Sequence, residues 1–123
     1  LMERATYLAR VPSEMYERRY ERFPINRPGE IAYLESGLGG LRKIGVKVLD
    51  MSQGGAGLEL PLSIKLPQHY YLSVFGFPNR FGCAEVHRNG TRIGVKFLGN
   101  IDGELLSSIV RADFRAGAVN LRR

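Results

Sequence analysis

Two clusters in this 123-residue chain bring together side chains suited to holding an anion. The first is Arg18-x-x-x-Arg22, with Arg19 between, inside the run Arg18-Arg19-Tyr20-Glu21-Arg22-Phe23-Pro24. A guanidinium is a planar fork of donors, so it grips a phosphate or a pair of acceptors on a nucleobase edge through two bonds at once. The second cluster is Asp50-Met51-Ser52-Gln53-Gly54-Gly55. Its carboxylate can accept from N–H donors and its hydroxyl can add a contact. Its glycines permit a tight turn and a close approach of ligand to backbone. Each cluster alone also has a plain reading: paired charges mark a solvated surface, and Asp, Ser and Gly furnish any turn.

Composition narrows the field around them. The chain carries 18 Lys+Arg against 12 Asp+Glu, a net charge of +6, and 14 of the 18 cations are arginine. That balance favours an anionic partner, with simple solubility as the alternative. At 44% hydrophobic and 24% charged, it has the make-up of one folded domain. The longest stretch free of formal charge, Leu66 to Asn79, is fourteen residues and contains Pro67 and Pro78, too short to span a bilayer as a helix. No charged start leads into an apolar run and a small-residue cleavage site. Cys83 is the only cysteine, which excludes an intramolecular disulfide and a multi-cysteine zinc site. The expected setting is therefore reducing and cytoplasmic. Enzyme signatures are missing: there is no nucleophile elbow, no phosphate loop and no paired-histidine metal helix. His69 and His87 fall on different predicted elements, and neither a metal nor a cofactor is expected.

The two clusters need elements to position them. Pro24, Pro28 and Gly29 bring the arginine stretch into the domain in extended form. From there the apolar period is two. Strands are predicted over Ile31–Glu35, Ile44–Leu49, Leu58–Leu60, Tyr71–Phe77, Phe81–Arg88 and Arg92–Leu98, the last two joined through Asn89-Gly90. A long connection with Gly37, Gly39 and Gly40 joins the first pair. Six short strands at roughly ten-residue spacing predict a small antiparallel barrel or sandwich, and closing it would remove unpaired edges. Asn100 or Asp102 can cap a helix whose stripe is Leu105, Leu106, Ile109 and Val110, laid on the barrel. The chain then divides into an N-terminal segment 1–17, a domain 18–112 and a basic tail 113–123. Ser13 caps a short turn over 14–17.

In this order and with this strand pattern, the clusters resemble the two signatures of the PilZ domain family, Arg-x-x-x-Arg and Asp/Asn-x-Ser-x-x-Gly. They stand as Arg18-x-x-x-Arg22 and Asp50-x-Ser52-x-x-Gly55, and the stretch Arg88 to Phe97 is similar to the family's last hairpin. The resemblance implies an all-β fold with a C-terminal helix, namely a six-stranded antiparallel barrel. It also implies a noncatalytic bacterial receptor for the second messenger cyclic di-GMP. It assigns Arg18 and Arg22 to an arm that grips the nucleotide, with Arg19 as an extra contact. Asp50, Ser52, Gly54 and Gly55 become the barrel-surface contacts. An arm of residues 14 to 27, mobile without ligand, would fold over the barrel and pass the signal to a downstream protein. Outputs would lie in motility, biofilm or exopolysaccharide control.

Two residues depart from the family pattern. His87 stands where related members carry Trp, offering a smaller stacking face. Glu17 precedes Arg18 and would repel the phosphates of a second nucleotide, favouring one ligand per chain. Two other readings stay open. One is a basic barrel binding single-stranded nucleic acid with Tyr70, Tyr71, Phe75, Phe77 and Phe81 as stacking rings, though their alternation assigns them to the core first. The other is a PilZ-fold protein-interaction module without ligand. Its mark would be loss of the arginines or of Asp50 and Ser52, and all are present.

Overall fold

A computed structural model describes residues 20–35 and 39–121. The chain forms β1 (Phe23–Glu35), β2 (Gly40–Met51), β3 (Gly55–Glu59), β4 (His69–Val74), β5 (Arg80–Asn89), β6 (Arg92–Phe97) and the helix α1 (Gly103–Leu121). The strands close into one barrel in the order β1-β2-β3-β6-β5-β4. Every neighbouring pair is antiparallel. This is the expected architecture.

The period-two pattern supplies the core. Val46, Val48, Leu58, Leu72, Ile93, Val95 and Phe97 point inward and are buried, while Lys47, Arg92 and Lys96 on alternate positions stay exposed. Cys83 also lies inside, fully buried, with its thiol donating to the Phe81 carbonyl. Burial pushes that thiol up to about 12, so it stays a protonated, unreactive core residue. Leu106 and Ile109 of α1 are buried against the barrel, with Leu105 and Val110 packed beside them. The Asp102 carbonyl accepts the first helical bond from Leu106 N–H, so Asp102 takes the cap position rather than Asn100.

Several boundaries differ from the sequence reading. β1 begins at Phe23 rather than Ile31 and runs through Pro24 and Pro28. Pro24 and Pro28 are tolerated because β4 pairs only with Gly29–Ala32, so both prolines sit where β1 has a strand on one side alone. The arm read as residues 14 to 27 therefore ends at Arg22, since Phe23 onward is barrel. β4 starts earlier, at His69, and stops at Val74 rather than Phe77. A turn closed by Phe77 N–H to the Val74 carbonyl, with Gly76 at φ 96°, ends it there. β3 begins in the glycine run at Gly55. The expected basic tail from 113 is, as far as Leu121, a continuation of α1. Arg115, Ala116, Ala118 and Leu121 are good helix formers and sustain it despite Gly117. The turn expected over 14–17 and Gly37 of the first connection lie outside the described residues.

β3 and β6 approach so closely that a Cβ at Gly55 would stand 2.3 Å from the Val95 carbonyl oxygen, whereas one at Gly45 would meet nothing within 4 Å. Gly55→Ala should therefore lower unfolding stability by about 1–3 kcal/mol, the scale of an overpacked interior. Gly45→Ala should leave the urea midpoint unchanged or slightly raised. Equal effects in the two variants would contradict the close-packed crossing.

Candidate functional site

The Asp50–Gly55 turn links β2 to β3, and Ser52 organises it. Ser52 is buried, and its Oγ accepts from the N–H groups of Gly54 at 3.2 Å and Gly55 at 3.0 Å. Ser52 N–H in turn donates to the Gly55 carbonyl at 2.9 Å. The sequence reading expects a hydroxyl or backbone contact to ligand from Ser52; in this structure the Oγ accepts two bonds inside the turn. Neighbouring elements attach through the turn's carbonyls: Phe97 N–H donates to Gly54 and Ile101 N–H to Gln53. The turn is thus fixed to β6 and to the start of α1.

Asp50 opens this segment as the second-last residue of β2, on the outside of the barrel. Register places Asp50 opposite Gly57 on β3, Gly57 opposite Gly94 on β6, and Gly94 opposite His87 on β5. The four residues form one transverse row across four strands, three spacings of about 4.8 Å, or roughly 14 Å from end to end. A bulge sits beside each outer member, between Val48 and Asp50 and between Glu85 and His87. Each adds one residue to its strand and re-aims the side chain that follows. Both central positions are bare, and with Asp50 and His87 placed as they are a side chain there would displace them. A Cβ at Gly57 would lie 2.7 Å from Asp50 Oδ2, and one at Gly94 would lie 2.1 Å from His87 Cε1. The carboxylate and the imidazole therefore lean toward each other over the two glycines.

Arg22 reaches this row from the arm. Its guanidinium donates to Asp50 Oδ1 at 3.0 Å, and the two side chains are 40% and 31% exposed. An ion pair that open to solvent is worth about 0–1 kcal/mol, so a competing ligand can exchange for either partner at small cost. Of the residues singled out from sequence, Arg22, Asp50, Ser52, Gly54 and Gly55 thus fall together, while Arg18 and Arg19 lie outside the described residues. Gly57, Gly94 and the placement of His87 over Gly94 were not read from the sequence. Only the strand register, shifted by two bulges, brings them beside Asp50.

Other features point elsewhere. Two larger hollows, of about 850 Å³ beneath residues 63–69 and about 500 Å³ over the β1–β4–β5 face, include neither Arg22 nor any residue of the Asp50–Gly55 turn. Of the five rings considered for nucleic-acid stacking, Tyr70 and Phe81 are core and Phe77 packs against it, while Tyr71 and Phe75 are exposed. Among the described residues no three His, Cys, Asp or Glu side chains group to hold a metal ion. No described helix is long and apolar enough to cross a membrane.

The family model described as "PilZ domain" matches residues 16–114. The chain belongs to the PilZ domain family. PilZ domains are noncatalytic modules that typically bind cyclic di-GMP. None of the curated proteins matches the sequence. Among solved structures, the chain is similar to the PilZ domain of YcgR from Escherichia coli with c-di-GMP, at 17% identity and a TM-score of 0.57. That alignment covers 86% of this chain and 98% of the other, and at this identity it supports the shared PilZ barrel. A longer YcgR structure from Escherichia coli, in complex with c-di-GMP, aligns at 20% identity and a TM-score of 0.44. It covers 85% of this chain and 48% of that one, so this PilZ chain spans about half of it.

Removing the Ser52 hydroxyl would leave two buried amides without a partner. Ser52→Ala should cost about 1–3 kcal/mol of stability in urea unfolding, the penalty for unsatisfied buried donors. An unchanged midpoint would mean that the turn holds its shape without the hydroxyl.

Proposed function

We propose that this PilZ domain is a noncatalytic receptor that binds cyclic di-GMP on the barrel face carrying Asp50. The observation that carries the reading is the Arg22–Asp50 pair, held at the edge of the Gly57–Gly94 floor. Cyclic di-GMP carries two phosphates and two guanines, and each guanine offers an O6/N7 acceptor edge and N1/N2 donors. Asp50 exchanges Arg22 for guanine N–H donors, a role that neither a cation nor an apolar side chain could fill. The freed Arg22 turns to phosphate or to the O6/N7 edge, with Arg18 and Arg19 gripping beside it. Ser52 acts by holding the turn, and Gly54 and Gly55 give the turn its shape. No covalent bond changes, and the ligand leaves as it arrived.

The signal in this reading is the exchange itself. Without ligand, Arg22 pairs with Asp50. With ligand, the arm is held through the nucleotide, and a downstream protein reads the new arrangement. Motility, biofilm or exopolysaccharide control would be the bacterial output.

Calorimetric titration tests the reading. The chain should bind cyclic di-GMP saturably, near micromolar (about −8 kcal/mol), and in preference to cyclic di-AMP and GTP. Arg22→Ala and Asp50→Ala should each weaken binding by about 1–3 kcal/mol, the worth of one good base-edge contact. Wild-type affinity in both variants would remove the arm and turn from the site. Absence of saturable binding by the unmodified chain would overturn the receptor reading and favour a ligand-free interaction module.

A further inference from the structure

The strand-to-helix junction after β6 is gripped from two directions. From the turn, Gln53 makes a reciprocal pair with Ile101. Its carbonyl accepts from Ile101 N–H at 3.0 Å, and its Nε2 donates to the Ile101 carbonyl at 3.2 Å. From the arm, the Tyr20 hydroxyl accepts from Asn100 Nδ2 at 2.6 Å. Tyr20 lies inside the Arg18-x-x-x-Arg22 run, two residues before the guanidinium on Asp50, and Asn100 is the neighbour of Ile101. The contacts therefore close a circuit: arm to Asp50, Asp50 through the turn to Gln53, Gln53 to Ile101, and Asn100 back to the arm. The helix α1 starts at once beyond this circuit. Between Phe23, Gln53 and Leu106 lies a groove of about 330 Å³, with Glu21 of the arm on its rim. Among the described residues, the polar contacts of Tyr20 and Arg22 tie the arm to the junction and to Asp50.

Resting on the cyclic di-GMP reading above, we infer that Asn100 is a positioning residue of the ligand site. By holding Tyr20 it sets Arg22 over Asp50, and by adjoining Ile101 it makes movement of the arm felt at the first turn of α1. The nucleotide need not touch Asn100. A ligand that draws the arm away from Asp50 pulls on Tyr20, and the load falls on the junction that the helix starts from. This gives α1 a physical reason to respond to an event on the other side of the turn.

A double-mutant cycle tests it, using Tyr20→Phe, Asn100→Ala and the pair together. Tyr20→Phe keeps the ring and removes only the acceptor oxygen. Each single change should weaken cyclic di-GMP binding about three- to tenfold, the scale of one net hydrogen bond. The double variant should bind no more weakly than the weaker single, because both remove the same bond. Ligand-induced amide shifts over Ile101–Leu106 should shrink in Asn100→Ala while those at Asp50 and Gly55 persist. Unchanged affinities, additive losses, or α1 shifts as large as in the unmodified chain would each overturn the inference. A ligand-free measurement separates it from the binding reading. Backbone relaxation at Tyr20–Arg22 should report a less ordered arm in Asn100→Ala than in the unmodified chain. Equal order would overturn the positioning role even if binding holds. A loosened arm in a chain that binds no nucleotide would sink the binding reading alone.

Discussion

The buried hydroxyl of Ser52 is where barrel, helix and site meet. It draws the Gly54 and Gly55 amides inward, and the carbonyls of Gln53 and Gly54 are left facing the donors of Ile101 and Phe97. One side chain of the turn thus fixes where β3 begins, how β6 ends and where the helix starts. Asp50 precedes it by two residues, so the orientation of the carboxylate inherits the rigidity of the turn. A binding carboxylate on an unsupported loop would have to be ordered by its ligand and would lose affinity in doing so.

The row across the barrel adds a second constraint. Asp50 and His87 lie over backbone, because Gly57 and Gly94 leave the outer surface of two adjacent strands bare. The bulges after Val48 and Glu85 allow the outer positions to lean inward without breaking the alternation that fills the core. Arg22 then pairs with Asp50 at a place open enough to solvent for the pair to be weak. A strong buried pair would resist exchange, whereas in the proposed reading this exposed one would hold Asp50 aligned until the nucleotide displaces Arg22. Fold stability comes from elsewhere, from the apolar interior around Val48, Leu58, Leu72 and Ile93.

Much of this was legible in the chain itself. Alternation placed the six strands, Asn89-Gly90 marked the last hairpin, and the two spaced motifs named Arg22, Asp50, Ser52 and Gly55 before any geometry was known. What was not legible depended on pairing. Pro24 and Pro28 read as an extended entry ahead of the first strand, and only the short reach of β4 along β1 shows why the strand itself can run through them. Phe75 and Phe77 read as strand, yet a glycine turn ends β4 before them. Gly57 and Gly94 draw no site reading from the sequence, because register, not sequence distance, makes them neighbours. The motif ties Ser52 to the ligand; its burial and its two amide partners add a turn-building role that the motif alone does not reveal. Tyr20 and Asn100 are eighty residues apart, and nothing in either local sequence announces their contact.

The most direct test of the central claim is to map cyclic di-GMP onto the isotopically labelled chain by amide chemical shifts. The account predicts perturbations over Arg22, Asp50–Gly57, His87 and Gly94, with the β1–β4–β5 face around Tyr71 and Arg80 unaffected. Shifts confined to that opposite face, or none at saturating nucleotide, would contradict it.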